Sequence, residues 1–320
     1  MNLIRLAALS AAFVSFAGLA QAAPLGIGTS AQGAATYSMG SAIAKVASDK
    51  SDLQIRVQPQ GGTGKVVPLV NTGRLDLGLA NILEVTNAIK GRGPFKGKAN
   101  PNLKVIGVMY PFRVGYFVKA DSPIKTIADI KGQRIGSEYS SQKIIGILTK
   151  SLLANAGLSM DDMKPVPVAT IVQQADDFAA GKLDIGFFAV GAGKVAQVNA
   201  AVGGIRFIPV DSSPEAMARL QKTVPPAYAQ LTQPSKGLPG VVGPTELMAF
   251  DYLLYAGAHV PDEVIYELTK TIASNKAGLA ASFGAFNSLN PEKMPKDIGL
   301  PHHPGAIKYY KEAGVWPEGR

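Results

Sequence analysis

One seven-residue pattern occurs twice, and it constrains the fold more than any other feature of the chain. Gly73-Arg-Leu-Asp-Leu-Gly-Leu79 returns as Gly181-Lys-Leu-Asp-Ile-Gly-Phe187. Each copy follows a stretch of helical period and leads into an apolar segment of strand composition. A glycine at the head of each copy suits the left-handed turn that ends a helix, and the apolar residues after the aspartate suit a central strand. Two such units, far apart in the chain, predict two lobes on one plan. The aspartates are short acceptors beside a turn, so they are expected to bond nearby backbone and not a ligand.

The rest of the chain alternates in the same way. Leu25 to Thr29, Leu53 to Val57, Leu75 to Ala80, Val105 to Tyr110, Val114 to Val118, Gln133 to Gly136 and Leu183 to Phe188 read as strands. Between them lie helical stretches. Ser141 to Ala156 carries Ile144, Leu148 and Leu152 on one face, with Gly157 placed as its terminator. Val264, Leu268 and Ile272 form a second stripe behind Pro261-Asp262-Glu263, a proline and acidic start. Alternation of this kind predicts the α/β class, with parallel sheet covered on both faces in two doubly wound lobes. We expect lobe 1 to take residues 23–110 and 248–320, and lobe 2 residues 112–244. A two-strand hinge is expected near 111 and 243–247.

Residues 1–22 have one early charge, Arg5, then an apolar run, then Ala20-Gln21-Ala22. That is the pattern of a cleaved signal peptide, so the mature chain is expected in the periplasm. There is no cysteine, which removes thiol chemistry and leaves stability to the core. The formal charge of +9 is spread along the chain. Without a basic run or an aromatic-interleaved stripe it does not indicate nucleic acid, although it suits drawing anions to a cleft.

In open α/β sheets ligands sit beyond the carboxyl ends of strands, against helix starts with outward N–H groups. Four segments fit. Gly28 to Gly33, with Thr29, Ser30 and Gln32, precedes a helix carrying Thr36 and Tyr37. Gln60-Gly-Gly-Thr63 supplies Gly62 and Thr63; Pro59 and Val66 break the phosphate-loop pattern, so nucleotide is not expected. Ser137 to Lys143 supplies Ser140, Ser141 and Gln142, the serines either capping the next helix or binding an anion. The strand ends supply Asn81 and Phe188. Arg113, near the presumed crossing, either grips a carboxylate or makes a surface ion pair. Lys143 either pairs a second carboxylate or faces solvent.

Catalysis has no matching set. No G-x-S-x-G elbow occurs, and His259, His302 and His303 lack metal-ligand spacing. Glu138 is the one local acid or base candidate, without partners to form a catalytic group. No metal, cofactor or enzymatic activity is expected.

The loop from Gly28 to Tyr37, Gln60-Gly-Gly-Thr63, the two glycine-basic-Leu-Asp units, Phe187 to Gly191 and His303 to Gly314 stand in an order that resembles the TAXI family of TRAP-transporter solute receptors. Tyr139-Ser-Ser-Gln142 departs from it by lacking the family's glycines. The resemblance implies a type II periplasmic-binding-protein fold, with two α/β lobes closing on a ligand. It implies glutamate, 2-oxoglutarate or a similar carboxylate, and TRAP integral membrane subunits as partner. A sensor as partner would use the same closure. The receptor is expected to be a monomer.

Overall fold

A computed structural model describes residues 24–317. The signal-peptide pattern lies outside the described residues.

The first elements are β1 (Leu25–Thr29), α1 (Ala35–Lys50), β2 (Ile55–Pro59), α2 (Thr63–Asn71), β3 (Leu77–Asn81), α3 (Ile82–Ile89) and the long β4 (Leu103–Lys119). There follow β5 (Arg134–Glu138), α4 (Lys143–Asn155), β6 (Lys164–Val168), α5 (Ile171–Ala179), β7 (Gly186–Ala189), α6 (Gly193–Ala201), β8 (Ile205–Phe207), α7 (Pro214–Gln221) and β9 (Tyr228–Thr232). The chain ends with β10 (Thr245–Gly257), α8 (Asp262–Ser274), α9 (Lys276–Ser282) and α10 (Pro304–Glu312).

Two halves share one strand plan. In the first, β1 pairs parallel with β2 and β3, and β3 pairs antiparallel with β10. In the second, β5 pairs parallel with β6 and reaches Ile185, just before β7, by a parallel bridge from Ile135. β7 then pairs antiparallel with β4. β4 and β10 pair with each other from Leu103–Gly257 to Val114–Met248, so both run through both halves. The sheets are therefore mixed and not wholly parallel as expected, because the crossing strands run against their neighbours.

Two other expectations change. The separate strands around Pro111 are one strand, because Pro111, Phe112 and Arg113 stay extended opposite Asp251, Phe250 and Ala249. Proline is tolerated on a strand with a free edge, and β7 joins β4 only from Val114. The helix expected from Ser141 begins at Lys143. The Ser140 and Ser141 N–H groups bond Val168 and Ala169 carbonyls at 3.3 and 3.0 Å, which keeps both residues out of the helix. Glu138 and Tyr139 before them turn the chain through φ of 63° and 43°, an uncommon region for side-chain-bearing residues.

The expected apolar stripe of α4 is buried at Ile144, Leu148 and Leu152. On α8 the buried apolar positions are Ile265, Leu268 and Ile272, with Val264 at the margin. Gly73 and Gly181 take φ of 72° and 74° after α2 and α5, the left-handed turn the repeat requires. At the C-terminus, His303 caps α10, accepting from the Gly305 N–H, and burial lowers its pKa. Trp316 stacks on Tyr310 and meets His302 edge-on, which anchors the tail.

Candidate functional site

Helix starts from both halves meet at one place. α1, α2 and α3 follow the carboxyl ends of β1, β2 and β3, and α4 and α5 follow β5 and β6. A narrow cleft is bordered by Ala35 and Thr36 of α1 and Thr63 of α2. Asn81, the N-cap of α3, Gln142, the N-cap of α4, and Ile171 of α5 complete this ring. A helix leaves its first N–H groups without internal partners and carries partial positive charge there. The ring is thus a field of neutral donors. Among the described residues that line the cleft, none is Lys, Arg, Asp or Glu.

The walls are apolar. Phe112, Phe250 and Tyr252 come from the crossing strands, Phe187 and Phe188 from β7, and Ile145 and Leu148 from α4. Phe112 stacks on Tyr252 with ring centroids 4.2 Å apart. Water gains little in such a space, so an apolar ligand body displaces it at small cost.

Side-chain bonds hold the polar groups in place. Thr36 accepts the Ser30 N–H at 3.0 Å. Gln142 accepts the Ile171 N–H at 2.7 Å and so ties the starts of α4 and α5 together. Asn81 accepts the Glu84 N–H at 2.8 Å, and the Thr63 hydroxyl hydrogen-bonds to Glu84 Oε2 at 2.5 Å. Glu84 is buried, which raises its pKa to about 7 despite the opposing Thr63 bond.

The halves touch at the rim. Gly62 is buried against the start of α4: a Cβ there would stand 2.8 Å from Gln142 Cγ and 3.0 Å from the Ser141 carbonyl oxygen. On another side the Lys194 N–H donates to the Gly33 carbonyl at 3.3 Å. The two halves are therefore in contact beside the cleft.

Of the residues singled out from sequence, Ser30, Thr63, Asn81, Gln142 and Phe188 line the cleft. Thr29 is buried behind it and donates to the Ser30 carbonyl. Gly62 forms the rim. Gln32 is exposed, Tyr37 half-buried and Ser140 exposed, all outside the lining. Ser141 and Lys143 border a neighbouring opening with Lys65, Lys98 and Glu84. Arg113 also lies outside the lining; it is partly buried at the crossing beside Tyr110 and Tyr228, and burial lowers its pKa. The aromatic wall from β4 and β10 and the carboxyl of Glu84 were missed from sequence. Phe250 and Tyr252 lie in a long apolar run that carries no mark of facing a cleft.

The sequence profile of one family matches residues 27–314. The chain belongs to the NMT1-like family. The fold of this NMT1-like chain is that of type II periplasmic binding proteins. It is similar to a structure titled a periplasmic transporter, at TM-score 0.58 and 15% identity, covering 81% of this chain and 85% of that one. It is similar to PhnD1 of Prochlorococcus marinus with methylphosphonate, at 0.53 and 13%, covering 91% and 96%. It is also similar to the alkanesulfonate-binding SsuA of Xanthomonas axonopodis pv. citri bound to MOPS, at 0.51 and 17%, covering 92% and 94%. Among the described residues no group of three or more His, Asp or Glu is placed to hold a metal.

Proposed function

We propose that the chain is a periplasmic solute receptor that closes on a small organic acid and hands it to a TRAP-type membrane transporter. Lobe 1 would comprise residues 23–110 and 248–320 and lobe 2 residues 112–244. The observation that carries this reading is the convergence of five helix starts, three from one half and two from the other, on one cleft. A ligand touching both sets favours the closed state by the sum of those contacts. The carboxylate is held by N–H groups and by Ser30, Thr63, Asn81 and Gln142. Organic anions in the two structural neighbours named above, methylphosphonate and MOPS, support this chemistry.

The cleft narrows the class. Its apolar walls and neutral lining favour a monocarboxylate with an apolar body over glutamate or 2-oxoglutarate. A second charge would be stripped of water beside phenylalanine rings with no cation to meet it. Native purification followed by mass spectrometry should recover such an acid. In a thermal-shift screen, phenylacetate and hexanoate should raise the midpoint more than glutamate does. Stabilisation by neutral or cationic compounds alone would overturn the reading.

A further inference from the structure

The polar corner of the cleft has an ionisable group behind it. Thr63 and Asn81 line the cleft, and both are bonded to Glu84, which does not. Glu84 is 4% exposed. Its Oε1 lies against Gly64 of α2, where an added Cβ would approach to 3.4 Å. Thr63 Oγ1 carries a single proton, and an ionised carboxylate can only accept. Beside ionised Glu84, Thr63 must spend its proton on Glu84 and turn a lone pair to the cleft. Beside the neutral acid, Glu84 donates to Thr63 Oγ1, and the threonine proton is released towards the cleft.

We propose that Glu84 is a positioning residue that sets the ligand charge this corner accepts: as the neutral acid it makes Thr63 a donor to a carboxylate, and as the carboxylate it makes Thr63 repel one. Above about pH 7, binding of an anionic ligand then takes up close to one proton from solvent, and well below it almost none. This rests on the carboxylate reading of the cleft.

The groups around Glu84 allow the switch. From β10, Tyr252 and Tyr255 face it, both buried and neutral. Lys65, Lys98 and Lys143 border the neighbouring opening with it, but they are exposed, and water and salt screen them. The start of α2 favours the ionised form. Loss of water favours the acid and prevails, which places the titration near neutrality, at about 7.

Calorimetry with phenylacetate, which stays ionised across the range, tests the proposal. The wild-type protein should bind it about tenfold more weakly at about pH 8 than at about pH 6, with uptake of a proton seen by comparing two buffers. Phenylacetamide, the neutral analogue, should show no such slope. Glu84→Gln keeps a donor to Thr63 and should bind phenylacetate with the pH 6 affinity at both values. Thr63→Val should lose the slope as well. A wild-type affinity independent of pH, or a slope that survives in Glu84→Gln, overturns the switch. If neither probe binds, the proposed ligand class fails separately, and the Glu84 carboxyl still decides the switch. Its carbon-13 resonance, assigned by its absence in Glu84→Gln, should titrate near neutrality. A midpoint in the ordinary carboxylate range overturns it.

Discussion

The two copies of the glycine-basic-Leu-Asp repeat are close structural equivalents in their backbone, and they differ most where they reach the cleft. In the first half Asp76 accepts the Gly26 N–H at 2.7 Å and its own N–H returns to the Gly26 carbonyl at 3.1 Å. In the second, Asp184 does the same with Arg134, at 2.9 and 3.0 Å. Each aspartate therefore clips its strand to the start of the neighbouring parallel strand, as expected of a backbone-bonding side chain. The glycines two residues on are equivalent too. Gly78 pairs with Tyr255 across the ladder and Gly186 with Phe117, and each ring fills the space a Cβ would take. Aligning the copies then sets Asn81 opposite Ala189 and Glu84 opposite Ala192. The first half ends its strand in a capped, ionisable helix start, whereas the second ends in an apolar wall. Packing demands are shared by both copies, and binding chemistry is divided between them.

The division is tested most strongly by pH. Glu84 holds its proton more tightly folded than unfolded, since burial raises its pKa from 4.5 to about 7. Its favourable contribution is fully present below pH 4.5 and is lost as pH rises through about 7, on the order of 3 kcal/mol. Urea unfolding across that window should show the decline in wild type and a flatter profile in Glu84→Gln. An unchanged profile would remove the asymmetry between the copies.

Next come the shared glycines. Gly78→Ala and Gly186→Ala should each cost about 2–3 kcal/mol, because the methyl meets an aromatic ring at 2.4 or 2.1 Å. If one is neutral, the halves are not packed alike. Smaller effects follow at the aspartates. Asp76→Ala and Asp184→Ala each leave a strand N–H unpaired, at a cost of about 1–2 kcal/mol. Each aspartate also has a partly exposed side-chain partner, Asp184 with Arg134 at 2.6 Å and Asp76 with His259 at 3.1 Å, so the two substitutions should lower the denaturation midpoint by similar amounts. The smallest effect belongs to Ser141→Ala. Ser141 lies outside the cleft lining, so phenylacetate affinity by calorimetry should stay within about twofold, and a larger loss would bring that hydroxyl into the site.

The repeat, the alternation of strands and helices, the helix stripe of α4 and the left-handed glycines were legible in the chain, because each depends on residues close in sequence. So was the place of Ser30, Thr63, Asn81, Gln142 and Phe188 in the cleft lining, since they sit at strand ends or helix starts. The wall formed by Phe112, Phe250 and Tyr252 was not, since β4 and β10 meet across more than a hundred residues and nothing local says which apolar side faces the cleft. Glu84 was not legible either. Its sequence position reads as an ordinary acidic first turn, and only burial against Gly64 and Thr63 gives its carboxyl a pKa near neutrality. Local backbone preference and hydrophobic period are written along the chain. The desolvation of a charge and the choice of cleft wall arise only when distant segments pack, and tertiary structure alone decided them.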